Sequence, residues 1–137
     1  MKAFNLFLVF VLIITGCESF CDSYLENDSG YDIILTAKLD TNITRHYGVS
    51  NVEFLKSFAN DSTSILLGMD TSNFWGVYKL KNKAVIQLDG GLGNHPTSKF
   101  SYMKIETKFK TLTYYSGREI EKAFKQEDKI RDTLIIK

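Results

Sequence analysis

Residues 100–110 read FSYMKIETKFK, and this stretch decides the fold class. Met103, Ile105 and Phe109 share one parity, while Tyr102, Lys104, Glu106, Lys108 and Lys110 share the other. Successive side chains of a strand point to opposite faces, so a period of two with one apolar side predicts a strand half-buried in a core. The phase then flips, because Leu112 and Tyr114 carry the parity of the lysines. A β-bulge or a turn near Lys110-Thr111 accounts for the flip.

Working back from there, Asp89 to Ser98 (DGGLGNHPTS) reads as a loop, with three glycines and the chain's single proline. Residues 63–69, 74–80 and 84–88 are rich in β-branched and aromatic residues, and Lys81-Asn82-Lys83 is predicted to turn between the last two. Tyr31, Ile33, Leu35, Ala37 and Leu39 alternate with Asp32, Thr36 and Lys38, Ile34 being the exception on the polar side, and Asp40-Thr41-Asn42 then breaks the run. Ile43, Tyr47 and Val49 resume the alternation, which predicts a hairpin with the strand before it. Ser50 and Glu53 have the spacing of a capping box, and Val52, Leu55, Phe58 and Ala59 follow at helical spacing. Val52, Phe54 and Phe58 also alternate, so a short helix or turn is favoured with a strand as the alternative. Ser116 and Glu119 repeat the box ahead of a helix expected over about 117–126, and residues 131–136 read as a closing strand. About seven short strands at even spacing with one or two short helices predict a mainly β domain, a small antiparallel β-sandwich or barrel, over residues 31–137.

The N-terminus reads differently. Lys2 is followed by an apolar run from Ala3 to Thr15, interrupted only at Asn5 and shorter than the ~20 residues needed to span a bilayer. It fits the ~7–15-residue apolar core of an export signal. The segment Ile14-Thr15-Gly16-Cys17 resembles the lipobox of bacterial lipoproteins: an aliphatic residue, two small residues and the cysteine that carries the lipid. The resemblance covers residues 1–17. It implies cleavage between Gly16 and Cys17, lipid attachment at Cys17, and an outer-membrane, lipid-anchored location in the cell envelope. Several acyl chains on one residue hold a protein firmly, since each buried CH₂ contributes about 0.8 kcal/mol. Residues 17–30 would then be the lipidated cysteine and a polar tether, with a root-mean-square reach of about 20 Å. Cys21, left without an intrachain partner, reads as an idle thiol in that tether. Asn27-Asp28-Ser29-Gly30-Tyr31-Asp32-Ile33 followed by alternating strands is similar to the start of small β-rich lipoproteins of the Bacteroides type. That likeness adds to the expectation of a sandwich and brings no activity with it.

The charge balance, 17 basic against 16 acidic residues, argues against a nucleic-acid partner. His46 and His95 lie far apart with no set of three or four ligands at zinc spacing, so no metal site is expected and each histidine reads as solvated or hydrogen-bonded. The run GGLGNHP at 90–96 lacks the Lys-Ser/Thr ending and the helix of a phosphate loop. No nucleophile elbow is present, and Glu119, Glu121, Glu127 and Asp128 read as a solvated face. The reading is therefore non-catalytic and cofactor-free. Among aromatic residues, Phe74-Trp75-x-x-Tyr78 and Tyr114-Tyr115 could stack on a ligand, with Trp75, Tyr78 and Tyr114 as the contact patch; the alternative is that all of them are core. The function expected is a lipid-anchored β module binding a protein or glycan partner. A periplasmic inhibitor or immunity-type lipoprotein that blocks an enzyme is the alternative.

Overall fold

A computed structural model describes residues 20–41, 49–60, 62–92, 99–127 and 131–137. In chain order its elements are β1 (Phe20–Asn27), β2 (Ile33–Leu39), α1 (Asn51–Lys56), β3 (Ser64–Asp70), β4 (Trp75–Leu80), β5 (Val85–Leu92), β6 (Phe100–Glu106), β7 (Thr111–Tyr114), α2 (Gly117–Ala123), β8 (Lys125–Gln126) and β9 (Arg131–Ile136). They form a five-stranded sheet, ordered β3-β4-β2-β6-β7, and a four-stranded sheet, ordered β5-β1-β9-β8. The protein is a small β-sandwich, and neither sheet closes into a barrel.

The alternation that marked β6 is realised in its burial: Met103 and Ile105 are buried while Tyr102 and Lys104 are only half covered. Beside it, β2 alternates without a break, burying Ile33, Leu35, Ala37 and Leu39. Tyr78 and Leu80 from β4 complete the inner face of this sheet. The opposing sheet contributes Leu25, Ile86, Leu88, Leu134 and Ile136 to the same core. Burial of such side chains drives the association of the two layers.

The phase flip after Lys110 is a turn. Thr107 receives its neighbours across a tight hairpin, donating its amide to the Lys110 carbonyl at 2.9 Å, and β7 then runs back antiparallel to β6. Phe109 consequently leaves the parity of Met103 and Ile105 and sits at the hairpin tip, 77% exposed.

Four other expectations are corrected. Residues 20–27, read as tether, form β1, an inner strand paired antiparallel with β5 and parallel with β9. The folded unit therefore includes this strand as well as residues from Tyr31 onward, and Cys21 lies in it. Both edges of β2 are occupied, by β4 and β6, so its partners are not the segment after Leu39; residues 42–48 of the expected hairpin lie outside the described residues. The expected loop at 89–98 starts later, because Asp89 to Leu92 continue β5 against β1 across an irregularity at Ser23/Tyr24. Helix α2 stops at Ala123, since Phe124 turns extended (ψ 140°) and Lys125–Gln126 joins β9 as an edge.

The first capping box forms in full. Ser50 Oγ accepts from the Glu53 amide, and the Glu53 carboxylate accepts from the Ser50 amide, so α1 is a helix and the strand alternative falls away. One buried phenol pins α1 to the sheet: Tyr78 donates its hydroxyl to the Leu55 carbonyl at 2.8 Å. Its ring needs the space over Gly76, where a Cβ would lie 2.0 Å from the Tyr78 hydroxyl oxygen.

Candidate functional site

The outer face of the five-stranded sheet carries an aromatic row. It arises from register: Trp75 pairs with Lys38, and Lys38 pairs with Tyr102, on β4, β2 and β6 in turn. Tyr115 follows β7 directly and comes within reach of Tyr102. The Trp75 and Tyr102 rings meet over Lys38 at 5.3 Å between centroids with a 46° tilt. The rings of Tyr102 and Tyr115 meet at 5.9 Å, edge to face. Lys38 Nζ lies 5.5 Å from the Trp75 ring centre, a cation–π distance. At the spacing of adjacent strands the row crosses about 14 Å of sheet surface.

Flanking charges are held in place. Asp70 lies opposite Trp75 in register; its carboxylate accepts from the Asn73 side chain at 2.8 Å and from the Ser72 and Asn73 amides. The Asn73 bond, with those amides, holds the Asp70 carboxyl below the usual carboxylate range, so it stays ionised beside the lysine. One row along the strands, Lys104 pairs with Glu106 at 2.9 Å, and the hydrogen bond to that carboxylate raises the lysine's pKa. The far end of the row is fastened by α2, because the Tyr115 amide donates to Glu119 Oε2 at 2.7 Å while Ser116 Oγ caps the helix.

Of the three aromatic residues expected to form the patch, only Trp75 lies on the open face. Tyr78 has the opposite parity on β4 and is fully buried, which pushes its hydroxyl well above the ordinary tyrosine range. Tyr114 packs against the core from β7, and burial raises its pKa as well. Tyr102 replaces them. Its place among the lysines of 100–110 was the available signal, since a large aromatic on the polar parity of a half-buried strand has to face solvent or a ligand. Tyr115 was visible only as half of a Tyr-Tyr pair whose inner member the strand alternation had to choose.

The remaining expectations lie elsewhere. Gly16 and Cys17, with the whole export segment, lie outside the described residues, as do His46, His95, Asp128 and the glycine-rich residues from 93 onward. Glu119 serves the helix start, and Glu127 pairs with Arg131 at 3.2 Å. A concavity of about 350 Å³ lies between α2, β8 and β9, lined by Arg118, Glu121, Lys122, Phe124, Gln126 and the nearly buried Asp132. Among the described residues no group of three His, Cys, Asp or Glu side chains is placed to hold a metal ion, and no helix is long and apolar enough to cross a membrane. Comparison with known proteins returns no match: no protein family, no curated protein and no solved structure is similar to this chain.

Proposed function

We propose that the protein is a lipid-anchored lipoprotein of the bacterial cell envelope, a non-catalytic β module that binds a protein or glycan partner through the row Trp75–Lys38–Tyr102–Tyr115. The row carries the reading. Trp75 and Tyr102, half-exposed on the sheet, and the exposed Tyr115 beside them supply large contact area at little entropic cost, and ordered charges at both ends supply orientation. A broad open face of this kind suits recognition better than a protruding loop that plugs another enzyme's cleft.

The anchor half of the reading rests on Lys2, the apolar run to Thr15 and the Ile14-Thr15-Gly16-Cys17 lipobox, with cleavage after Gly16. Strand β1 begins at Phe20, three residues after Cys17. A lipid on Cys17 would therefore hold the domain within about 10 Å of the headgroups, because three residues reach no further.

Two measurements test the two halves. The N-terminal peptide of the envelope-extracted protein is expected to carry acyl mass on Cys17, and Cys17→Ala is expected to release the chain from the membrane fraction. A soluble wild-type chain without acyl mass sinks the anchor. For recognition, Trp75→Ala/Tyr102→Ala is expected to lose a partner captured by the wild type from envelope extract. A partner held equally by both proteins places recognition elsewhere.

A further inference from the structure

One pole of the sandwich has a composition that neither the core nor the aromatic row explains. Three turns converge there: residues 28–32 between β1 and β2, 81–84 between β4 and β5, and 107–110 between β6 and β7. Asn27 knits the first two, donating from Nδ2 to the carbonyls of Tyr31 at 2.8 Å and Lys81 at 3.0 Å. Asn82 adds its own bonds, accepting from the Gly30 amide and donating its amide to Asp32. The third turn joins through rings: Tyr31 and Phe109 meet edge to face at 5.6 Å, and Lys108 Nζ stands 4.4 Å from the Tyr31 ring centre.

This pole is both aromatic and cationic. Phe109 is 77% exposed and Tyr31 43%. Lys81, Lys83, Lys108, Lys110 and Lys137 are all exposed around them. The carboxylates nearby are already engaged. Asp28 is bound by Lys83, Asp32 by Lys79 at 2.9 Å, and Glu106 by Lys104, while Glu26 contributes to the field on Lys83. Lys81, Lys108, Lys110 and Lys137 make no ion pair with a carboxylate among the described residues. The whole chain has a formal charge of only +1, so this excess is local. The pole lies at the Asn27 end of β1, about 23 Å from Phe20 at strand rise.

We infer that this pole is a binding site for an acidic polysaccharide, with Tyr31 and Phe109 stacking on sugar rings and Lys81, Lys108 and Lys110 pairing with their carboxylates. The two components exclude simpler ligands. A neutral glycan needs the rings and makes no use of lysines on two separate turns. A small anion is satisfied by one or two lysines and leaves both rings in water. A repeating acidic chain uses both, and lysines on separate turns match charges repeated along a strand of sugar. The site lies on a different end and face from the row of Trp75 and Tyr102, so it stands or falls independently of the function proposed above.

The test is affinity electrophoresis of the full chain in non-ionic detergent through gels containing polygalacturonate, with dextran gels and phosphatidylglycerol vesicles as comparison arms. The wild type is expected to be retarded by polygalacturonate and not by dextran, with retardation that fades as salt is raised. Lys108→Gln/Lys110→Gln and, separately, Phe109→Ala are each expected to weaken binding by about tenfold, the scale of one good cation or ring contact. Both changes lie on an exposed hairpin tip, and unchanged far-ultraviolet circular dichroism and Tm are expected to accompany them. Trp75→Ala/Tyr102→Ala is expected to bind polygalacturonate like the wild type. Four results would overturn the assignment: no retardation, equal retardation by dextran, vesicle binding without polysaccharide binding, or loss on lysine substitution with Phe109→Ala unaffected. The last reduces the pole to unspecific charge attraction.

Discussion

The two sheets share one core but are specified by different chemistry. The inner face of the five-stranded sheet is apolar nearly throughout: Ile33, Leu35, Ala37, Leu39, Tyr78, Leu80, Met103 and Ile105 are all buried. The four-stranded sheet turns Ser23, Asn27 and Asp132 inward among Leu25, Ile86, Leu88, Leu134 and Ile136. Asn27 is fully buried, with its side chain donating to three backbone carbonyls and accepting from Ser29. One layer is thus held by area removed from water, and the other partly by directed hydrogen bonds in a place water cannot reach. Hydrophobic burial tolerates small displacements, whereas a buried amide with three acceptors fixes where two turns sit. The layer that looks weaker by composition therefore sets the geometry of the lysine-rich pole.

The contrast can be broken from either side. The largest effect is expected in the apolar layer, at Gly76→Ala, because the new methyl would overlap the Tyr78 ring and hydroxyl with the α1 backbone behind them. A loss of about 3 kcal/mol in urea unfolding is expected; a loss under about 1 kcal/mol would mean that Tyr78 moves aside freely. Next comes Asn27→Ala in the polar layer. Removing its amide leaves the Leu80 carbonyl and its neighbours short of a donor, at about 2 kcal/mol. Amide exchange is expected to speed up at residues 28–32 and 81–84 while β6 stays protected. Uniform loss of protection would show that the amide stabilises the molecule globally and does not place the turns.

Tyr78→Phe keeps the ring and removes its hydrogen bond to the Leu55 carbonyl, so a cost of about 1 kcal/mol is expected, concentrated in α1. The smallest effect is electrostatic. Lys83 holds the Asp28 carboxyl below its ordinary range, first by hydrogen bond and then by charge. A carboxyl with a depressed folded pKa contributes its stability above the unfolded value, near 4, and loses it as pH falls further. Both partners are solvent-exposed, so only a slight fall in Tm below about pH 4 is expected, absent in Asp28→Asn and reduced by salt. A large acid-dependent loss removed by Asp28→Asn would reveal a coupling across the pole that the paired charges alone do not supply.

The same contrast explains what could be read in advance. Strands β2 and β6 were legible because each writes its burial as a period of two, β4 because of its β-branched and aromatic composition, and α1 because Ser50 and Glu53 satisfy each other's backbone groups locally. Strand β1 was not. Its inward side, Ser23-Leu25-Asn27, presents one apolar residue, and the burial of Asn27 makes sense only with the carbonyls of Leu80 and Lys81, far along the chain, in place. Strand β8 was illegible for a related reason: nothing local ends α2 after Ala123, and pairing of Lys125 with Thr133 holds the chain extended there. The candidate site divided similarly. Trp75 was found by its chemistry. Tyr102 and Tyr115 required the register of β2 between β4 and β6, and Tyr78 and Tyr114 required knowing which parity faces the other sheet.

What the sequence determined by itself is the class of the molecule: short alternating strands, two capped helices and a balanced charge. Each of these is a local pattern, readable because side-chain period and cap geometry act over a few residues. Tertiary structure alone decided which strands are neighbours, that the N-terminal strand lies between β5 and β9, and that Phe109 and Tyr31 meet on a lysine-rich pole. Those outcomes depend on pairing between segments remote in sequence, where hydrogen-bond register and the packing of one sheet on another select among arrangements that local preference leaves equal in energy.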